Sequence, residues 1–307
     1  MDLFTQLEEV NKQTPLAEIL RPKTLDEFLG QSNVVAPNSP LLNLLKTQRL
    51  FSLILWGTPG CGKTTLARLI ATKVNAQFIE LSAVTSGIKE IKETVEQARQ
   101  ALRSGQKTIL FIDEIHRYSK TQQDALLPHV ENGTIFLIGS TTENPSFQVV
   151  PALLSRVQVI RLNPINDISM GKIVNRGFEY LEKNYQPIQY DEEVTKFIVN
   201  NARGDARCAL NLVENSYFAS NFSNDTRLLS VEILESITQK RNTRYSTQEH
   251  YDCASAFQKS LRGSDADAAI YYLAKMIEAG EDPRFIARRL IVCAAEDVGI
   301  ADPHAMN

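Results

Sequence analysis

A glycine-rich segment contains the residues of this sequence best suited to binding phosphate. It comprises Gly57, Thr58, Pro59, Gly60, Cys61, Gly62, Lys63, Thr64 and Thr65. Glycines let successive backbone N–H groups turn inward around an anion, and a following helix adds the positive end of its dipole. We expect Lys63 to contact the β- and γ-phosphates of a nucleotide and the Thr64 hydroxyl to bind Mg²⁺. A chance glycine-rich turn is disfavoured, because the segment lies between an apolar run and an amphipathic stretch.

Two acidic residues follow a second apolar run and supply the carboxylates that phosphate chemistry needs. Asp113 and Glu114 come directly after the run of residues 108–112. The carboxyl ends of strands in an open α/β sheet face the crevice where ligands bind. We therefore expect Asp113 to bind Mg²⁺ and Glu114 to orient and deprotonate an attacking water. A solvated acidic turn is the alternative.

Three further polar residues are candidates for the same site. Thr142 follows the next apolar run, where a hydroxyl can bond the γ-phosphate or the attacking water, although Ser and Thr often end strands. Arg156 ends a short helical pattern and is either favoured there by the helix dipole or supplied as an arginine finger to a neighbouring subunit. Arg207 follows Gly204 and Asp205, which end one helix and cap the next. A cation in a first turn opposes the dipole, so Arg207 is either a surface arginine or a residue that reaches the γ-phosphate.

Short apolar runs alternate with helical patterns between residues 52 and 162. The predicted strands are residues 52–56, 77–81, 108–112, 134–139 and 157–162. This order predicts an α/β fold with a parallel sheet covered on both faces. After Pro164 the sequence predicts helices without strands, and residues 1–50 form a helical, loop-rich lead-in. The predicted helices are residues 167–183, 191–202, 205–221, 230–238, 248–262, 265–279 and 283–298.

Composition limits the classes of function. The 307 residues carry a formal net charge of −3, so contact with nucleic acid would depend on local basic patches. No apolar run is long enough to cross a bilayer, so we expect no membrane partner. The four cysteines and four histidines lack the spacing of a zinc site, which favours reduced thiols in a cytoplasm. Lys63 and a helix N-terminus beside Cys61 can lower the pKa of its thiol and make it oxidisable, but a tolerant loop position is the favoured interpretation of this cysteine.

These motifs together resemble those of AAA+ ATPases. Residues 57–64 are similar to the Walker A motif, residues 109–114 to Walker B, Thr142 to sensor 1, Arg156 to the arginine finger and Arg207 to sensor 2. Arg21 and Pro22 resemble the adenine-side segment of the clamp-loader and RuvB clade. The resemblance implies a P-loop core over residues 1–163, an all-α lid over residues 164–242, and the start of a C-terminal helical oligomerisation domain over residues 243–307.

Within that class the chain resembles the RarA/MgsA family, which is related to eukaryotic Werner-helicase-interacting proteins. The segments that carry this resemblance are residues 82–91, 122–131, 140–147, 259–264 and 296–303. It implies a DNA-stimulated ATPase that uses ATP and Mg²⁺ and acts in the rescue of stalled replication forks, recombination and repair. It also implies a homotetramer, DNA forks, ends and gaps as substrates, single-strand-binding protein as a partner, and a cytoplasmic, nucleoid-associated location.

Two features of the chain differ from the pattern of the related families: the residue at position 82 and the extent of the C-terminal domain. Ser82 stands where clamp loaders often carry an Asn that holds the catalytic glutamate. The family's oligomerisation domain extends past residue 307, so we expect a shortened chain to bind ATP and hydrolyse it slowly.

Four other functions are weighed against the main hypothesis. Residues 113–116 also spell a DExH helicase box, but no second nucleotide-binding lobe is apparent after residue 164. A RuvB-like motor would need a winged-helix domain with strands after the lid, and an unfoldase would need an aromatic loop where residues 83–87 have none. An ATP-gated adaptor with little hydrolysis stays open.

Overall fold

The computed structural model describes residues 14–302 and 304, apart from residues 38, 48, 224 and 239–246. The first 13 residues of the predicted lead-in and the predicted boundary at residues 242 and 243 therefore lie outside the described residues. The chain forms two compact units, Met1–Ile237 and Thr238–Asn307. All candidate site residues lie in the first unit. The predicted division of this unit at residue 163 stays a prediction.

A five-stranded parallel sheet forms the centre of the first unit, as the alternating pattern predicts. Its strands are β1 (Leu53–Trp56), β2 (Gln77–Ser82), β3 (Thr108–Asp113), β4 (Phe136–Thr141) and β5 (Gln158–Arg161). Their order across the sheet is β2-β3-β4-β1-β5. The central strands β1, β3 and β4 are almost fully buried, because helices cover a parallel sheet on both faces. The phosphate loop therefore follows a central strand.

Among the described residues, three short helices lead into the sheet, and two long and four short helices connect its strands. They are α1 (Leu16–Ile19), α2 (Ser32–Val35), α3 (Pro40–Lys46), α4 (Lys63–Lys73), α5 (Ile88–Arg103), α6 (Lys120–Asp124), α7 (Leu127–Glu131), α8 (Pro145–Gln148) and α9 (Pro151–Leu154). A 3₁₀ turn, Ile115–Arg117, follows β3.

Alternate residues of the central strands supply two separate hydrophobic cores. Leu53, Leu55 and Phe111 belong to the core that packs against α4, whereas Ile54 and Leu110 belong to the core on the opposite face, against α5. Successive side chains of a strand point to opposite faces of the sheet, so a continuous apolar run fills both cores. Packing in the two cores fixes where each strand ends along its own direction, and this determines the position of the polar residues that follow.

Strand β4 begins two residues later than predicted and ends two residues later. Thr134 is held in the preceding turn by the Asn132 side chain, which accepts its N–H at 2.9 Å. Ser140 and Thr141 extend the strand, pair with Leu55 and Trp56, and are fully buried. The polarity of these two residues led the sequence-based boundary to fall at Gly139, although neighbouring polar groups satisfy them.

Residues 164–238, which we call the lid after the sequence-based prediction, are mainly helical. Its helices are α10 (Asp167–Asn184), α11 (Glu192–Ala202), α12 (Ala206–Ala219) and α13 (Val231–Thr238). Asn166, Asp191 and Asp205 cap the first three by accepting a backbone N–H at 2.9–3.0 Å. Buried side chains including Phe178, Val194 and Tyr217 form its core.

The expectation that no strands follow Pro164 is wrong. A small three-stranded sheet joins β6 (Ile188–Gln189), β7 (Asn221–Ser223) and β8 (Thr226–Leu228), with β8 parallel to β6 and antiparallel to β7. These strands have two or three residues each, which is too short for an alternating pattern to reveal.

The second unit is helical where the structure describes it. Its helices are α14 (Thr247–Arg262), α15 (Ala266–Glu278) and α16 (Pro283–Val292), followed by a π-helical segment, Cys293–Val298, and a 3₁₀ turn, Gly299–Ala301. Phe257, Met276 and Ile286 lie in its core. Among the helices in the described ranges, none combines the length and apolar character needed to cross a membrane.

Gln31 is a fully buried polar side chain that joins three segments of the first unit. Its amide nitrogen donates to the carbonyl oxygens of Cys61, at 3.2 Å, and Asn163, at 2.6 Å. Its amide oxygen accepts the N–H of Asn163 at 3.1 Å. The lead-in, the phosphate loop and the segment that follows β5 are therefore connected through one amide group.

We predict that Gln31→Ala destabilises the protein by about 2 kcal/mol, because three buried polar groups lose their partner. Urea unfolding followed by circular dichroism would measure the change in free energy of unfolding. Gln106→Ala, at an exposed glutamine, is the control and should change stability by less than about 0.5 kcal/mol. Equal stability of the two variants would contradict this role for Gln31.

Candidate nucleotide-binding site

The phosphate loop connects β1 to the first turn of α4. Gly62 has a φ of 102° and occupies the N-cap position of α4. This left-handed conformation favours glycine. The buried Lys63 ammonium donates to the carbonyl oxygens of Gly57, at 2.8 Å, and Thr58, at 2.9 Å. Gly57 and Thr58 thus fix the position of the lysine, while the residues from Pro59 to Thr65 line a cavity.

The lid contacts the phosphate loop at Gly60. The N–H of Ala206 donates to the Gly60 carbonyl oxygen at 3.2 Å. A Cβ atom at Gly60, whose φ is +65°, would lie 1.8 Å from Oδ1 of Asp205. That same Oδ1 accepts the N–H of Cys208 at 2.9 Å and caps α12. The first turn of α12, which includes Arg207, is therefore packed directly on the loop.

The acidic residues lie at the end of β3, next to the end of β4. The Ser140 hydroxyl donates to Oδ1 of Asp113 at 2.5 Å and accepts the N–H of Glu114 at 3.3 Å. Glu114 has a φ of 53° and a ψ of 49°, so the chain turns sharply where β3 ends. The Thr142 hydroxyl donates to Oε2 of Glu114 at 3.4 Å. The predicted acidic pair and Thr142 are thus brought together.

A histidine that the sequence pattern did not assign to this site contacts Glu114. The His116 side chain is only 5% exposed, and its Nδ1 lies 3.2 Å from Oε2 of Glu114. Its Nδ1 also lies 2.9 Å from the Thr141 hydroxyl, and its Nε2 lies 3.5 Å from Oε1 of Glu143. Two carboxylates and one hydroxyl therefore surround the imidazole ring. The only sequence signal for this residue was its place in the DExH-like box.

One cavity of about 470 Å³ collects most of the predicted residues. Asp113, Glu114, Arg207, Arg21 and Pro22 line it together with the phosphate loop. The remaining lining is largely apolar and includes Leu20, Phe28, Leu29, Ile165, Ile173 and Leu210. Such a combination of a polar end and an apolar end is typical of small-molecule sites of this size. The cavity can take a phosphorylated ligand with an apolar or aromatic portion.

Arg21 and Glu18, which both line the cavity, form an ion pair. The Arg21 Nε donates to both carboxylate oxygens of Glu18 at 3.1 Å. This hydrogen bonding lowers the pKa of Glu18 below its usual value. Arg176 and Asn211 line the same cavity, although the sequence pattern did not predict either of them. Both residues lie on lid helices at positions that line the cavity, and these positions can be recognised only once the fold is known.

Gly57, Thr58 and Thr142 do not line the cavity, but each bonds to a residue that does. Arg156 also lies outside the lining, and none of its described partners belongs to it. It is half-exposed, and its Nε and NH2 groups lie 2.6 Å and 2.5 Å from Oε1 of Glu131. NH1 donates to the Ala152 carbonyl oxygen at 2.5 Å. A role for Arg156 in phosphate chemistry would therefore require a cavity on another copy of the chain.

The Cys61 thiol is 1% exposed, and burial raises the pKa of this thiol above its usual value. Lys63 acts in the opposite direction but does not overcome the cost of removing a thiolate from water. The sequence-based possibility that the loop lowers the pKa of Cys61 is therefore wrong. Cys61 fills space beneath the loop, where its sulfur lies close to Gly57.

The fold and site together define a P-loop ATPase of the AAA class. The family described as "ATPase family associated with various cellular activities (AAA)" matches residues 53–165. The AAA C-terminal domain family matches residues 183–262, and the family described as "MgsA AAA+ ATPase C terminal" matches residues 263–307. Solved structures of Thermotoga maritima RuvB, including one titled a Holliday junction branch migration motor, match with a TM-score of 0.58 at 22% identity over 87% of this chain and 88% of theirs. This likeness shows a shared fold.

Curated relatives identify the family more narrowly. The replication-associated recombination protein A of Escherichia coli K12 is 45% identical over 97% of this chain and 68% of its own length. An uncharacterised AAA domain-containing protein of Mycobacterium tuberculosis is 46% identical over 95% of this chain and 65% of its own length. The ATPase WRNIP1 of Dictyostelium discoideum is 40% identical over 95% of this chain and 36% of its own length. The chain belongs to the replication-associated recombination protein A family, RarA/MgsA, and spans about two thirds of the length of the bacterial relatives named here.

We predict that Gly60→Ala destabilises the protein by at least about 2 kcal/mol, because its methyl group would collide with Asp205. Gly105→Ala is a matched control, since Gly105 also has a positive φ but has no atom within 4 Å of an added Cβ. The control should lose only about 1 kcal/mol of stability, which is the cost of a left-handed backbone conformation for a residue with a Cβ atom. Urea unfolding would measure both, and equal losses would contradict the packing of the lid on the loop.

We predict that Cys61 in the folded protein resists iodoacetamide at neutral pH, because its thiol is buried and its pKa is raised. Peptide mass spectrometry would give the modified fraction over time, with the half-buried Cys208 as the internal comparison. In urea both cysteines should react at similar rates. Faster modification of Cys61 than Cys208 in the folded protein would contradict the prediction.

Proposed function

We propose that this chain binds ATP with Mg²⁺, hydrolyses it to ADP and phosphate, and couples the reaction to the rescue of stalled replication forks, recombination and repair. The observation that carries the proposal is the single cavity lined by the phosphate loop, the strand-end acids and Arg207. Membership of an AAA ATPase family supports hydrolysis of ATP as the reaction. The printed names of the bacterial relatives support replication-associated recombination as the process.

The residues present are chemically suited to Mg²⁺. Thr64 and Asp113 supply a hydroxyl and a carboxylate to the same cavity. Within the described ranges, no group of three or more His, Cys, Asp or Glu side chains could hold a metal ion. Mg²⁺ does not need such a group, because it is commonly bound through one or two protein oxygens together with substrate phosphates and water. When bound, the ion neutralises charge on the phosphates.

The side chains around the cavity have separate roles in the proposal. The loop amides from Pro59 to Thr65 and the Lys63 ammonium bind the phosphates. Glu114 accepts a proton from the attacking water, and Thr142 orients Glu114 or that water. Arg207 stabilises the negative charge that develops on the γ-phosphate. Arg21 and Pro22 contact the adenine side.

Arg156 completes the site from a neighbouring copy in this proposal. Its side chain is half-exposed and pairs with Glu131 at the surface, and a surface ion pair is worth only about 0–1 kcal/mol. A neighbouring γ-phosphate can therefore compete for this guanidinium. Nucleotide binding then requires one chain, whereas fast hydrolysis requires an assembly, which we propose is the tetramer of the family.

DNA and single-strand-binding protein are the proposed partners, and cytoplasm near the nucleoid is the proposed location. The support is the family relationship, since RarA and WRNIP1 relatives match nearly the whole chain. DNA stimulation of the ATPase is part of the same proposal.

The RuvB-like alternative is less supported, because residues 247–302 are helical and contain no strand of a winged-helix domain. We propose that residues 1–163, 164–242 and 243–307 serve as ATPase core, lid and oligomerisation region.

We predict that Lys63→Ala abolishes magnesium-dependent ATP binding, whereas Glu114→Gln retains binding and loses hydrolysis by about 10²- to 10⁴-fold. Calorimetry would measure the affinity for ATP. The fluorescence of Trp56, the single tryptophan, gives a second measure of ATP binding, because this residue directly precedes the phosphate loop. Release of phosphate would measure hydrolysis.

Forked DNA added to the same assay tests the partner. Stimulation of the wild-type rate, and none in Glu114→Gln, would support the DNA-dependent ATPase. ATP binding without measurable turnover in the wild type, with or without DNA, would overturn it in favour of an ATP-gated adaptor. Unchanged ATP binding by Lys63→Ala would contradict the proposed site itself.

A further inference from the structure

We infer that His116 is the positioning residue that holds the Glu114 carboxylate toward the nucleotide cavity. This inference rests on the proposed function, in which Glu114 accepts a proton from water. Glu114 lines the cavity while its Oε2 lies 3.2 Å from Nδ1 of His116. The contact is thus compatible with the orientation that faces the substrate.

The surroundings of His116 fix the orientation of its ring. The Thr141 hydroxyl donates to the Glu143 carbonyl oxygen at 3.2 Å and accepts the Glu143 N–H at 3.0 Å. With its proton directed to Glu143, this hydroxyl is an acceptor for an N–H at Nδ1, which lies 2.9 Å away. Oε1 of Glu143 lies near Nε2 on the other side. Each ring nitrogen therefore faces an acceptor, and the ring has little freedom to turn.

Burial strengthens this arrangement. The His116 side chain is almost fully enclosed, whereas the Glu114 side chain is 30% exposed. A polar contact is stronger where water is partly excluded, so the enclosed ring limits the movement of the carboxylate on its side. The second contact of Glu114, from the Thr142 hydroxyl, is longer at 3.4 Å. Among the described contacts, Nδ1 of His116 is therefore the side-chain atom nearest to the Glu114 carboxylate. The same Nδ1 lies 2.9 Å from the Thr141 hydroxyl, so one ring nitrogen faces both oxygens.

The end of β2 also lies beside the acidic turn, since Ser82 pairs in register with Asp113. The Ser82 carbonyl oxygen accepts the Ser86 hydroxyl at 2.6 Å, but no described hydrogen bond joins the Ser82 hydroxyl to Glu114. The described side-chain contacts of Glu114 thus come from His116, in the turn after β3, and from Thr142, after β4.

Isosteric variants of His116 test the inference. His116→Asn places an amide nitrogen near the position of Nδ1, whereas His116→Gln places it near Nε2. We expect His116→Ala to lower single-turnover ATP hydrolysis by about 10- to 100-fold, since misplacing a reacting group costs rates of this order. His116→Asn should recover more activity than His116→Gln. ATP affinity should stay within about twofold, because the cavity contacts of the phosphates are unchanged.

A double-mutant cycle separates positioning from general damage to the fold. If His116 acts through Glu114, adding His116→Ala to Glu114→Gln should produce no further loss of hydrolysis. Ser82→Ala is the matched control and should hydrolyse ATP at the wild-type rate. A multiplicative loss in the double variant, or greater recovery with Gln than with Asn, would overturn the inference.

The same measurements distinguish a failure of the role of His116 from a failure of the proposed function. Loss of hydrolysis in Glu114→Gln, with a normal or faster rate in His116→Ala, would overturn the role of His116 and leave the proposed ATPase standing. Undiminished hydrolysis in Glu114→Gln would overturn both. Thermal unfolding of each variant shows whether a loss of rate accompanies a loss of folded protein, and His116→Asn retains a polar side chain if His116→Ala does not fold.

Discussion

The close approach of the lid to Gly60 is the constraint on which the rest of the site depends. Asp205 must cap α12 and, at the same time, lie where the side chain of any other residue at position 60 would be. The hydrogen bond from Ala206 to the Gly60 carbonyl oxygen contributes about 1 kcal/mol, but it can form only if the loop has no Cβ there. Glycine at this position therefore serves the packing of the lid as well as the curvature of the phosphate loop.

A second constraint acts at the carboxyl ends of the central strands. The two apolar cores fix β3 and β4 in register, so Ser140 lies beside Asp113 and bonds to it. Ser140 and Thr141 are buried, and each is satisfied by groups that also serve the acidic turn. Buried polar groups are tolerated when they are fully bonded. The network thus stabilises the ends of the strands and orients the acidic residues.

The sequence was sufficient for the parts of the fold that repeat a local rule. Short apolar runs predicted the five strands of the parallel sheet, and the Gly204–Asp205 pair predicted where one lid helix ends and the next begins. It was insufficient where contacts join distant residues. Nothing local indicates that Asp205 packs on Gly60, or that His116 lies between two carboxylates, because both facts depend on how the sheet and the lid come together.

The size of an element also limited the prediction. The strands of the lid sheet are two or three residues long, and such segments lack a hydrophobic period. Ser140 and Thr141 were placed after β4, because their polarity is typical of a strand end rather than of a buried strand. In both cases the stabilising partner lies on another element, and that information is absent from the local pattern.

The same geometry separates the binding of phosphate from its transfer. The loop, the acidic turn and Arg207 belong to one chain and one compact unit, so under the proposed function a single copy would hold the triphosphate. Because Arg207 lies one residue after the Ala206 that bonds to the loop, a movement of the lid would displace Arg207 and release Gly60 together. A ligand that contacts both the loop and Arg207 therefore opposes lid movement, and its hydrolysis removes that restraint. Arg156 lies outside this cavity and bonds to Glu131, so in the proposed function it would act on a second copy. Under that proposal, contacts within a chain would govern binding and contacts between chains would govern turnover.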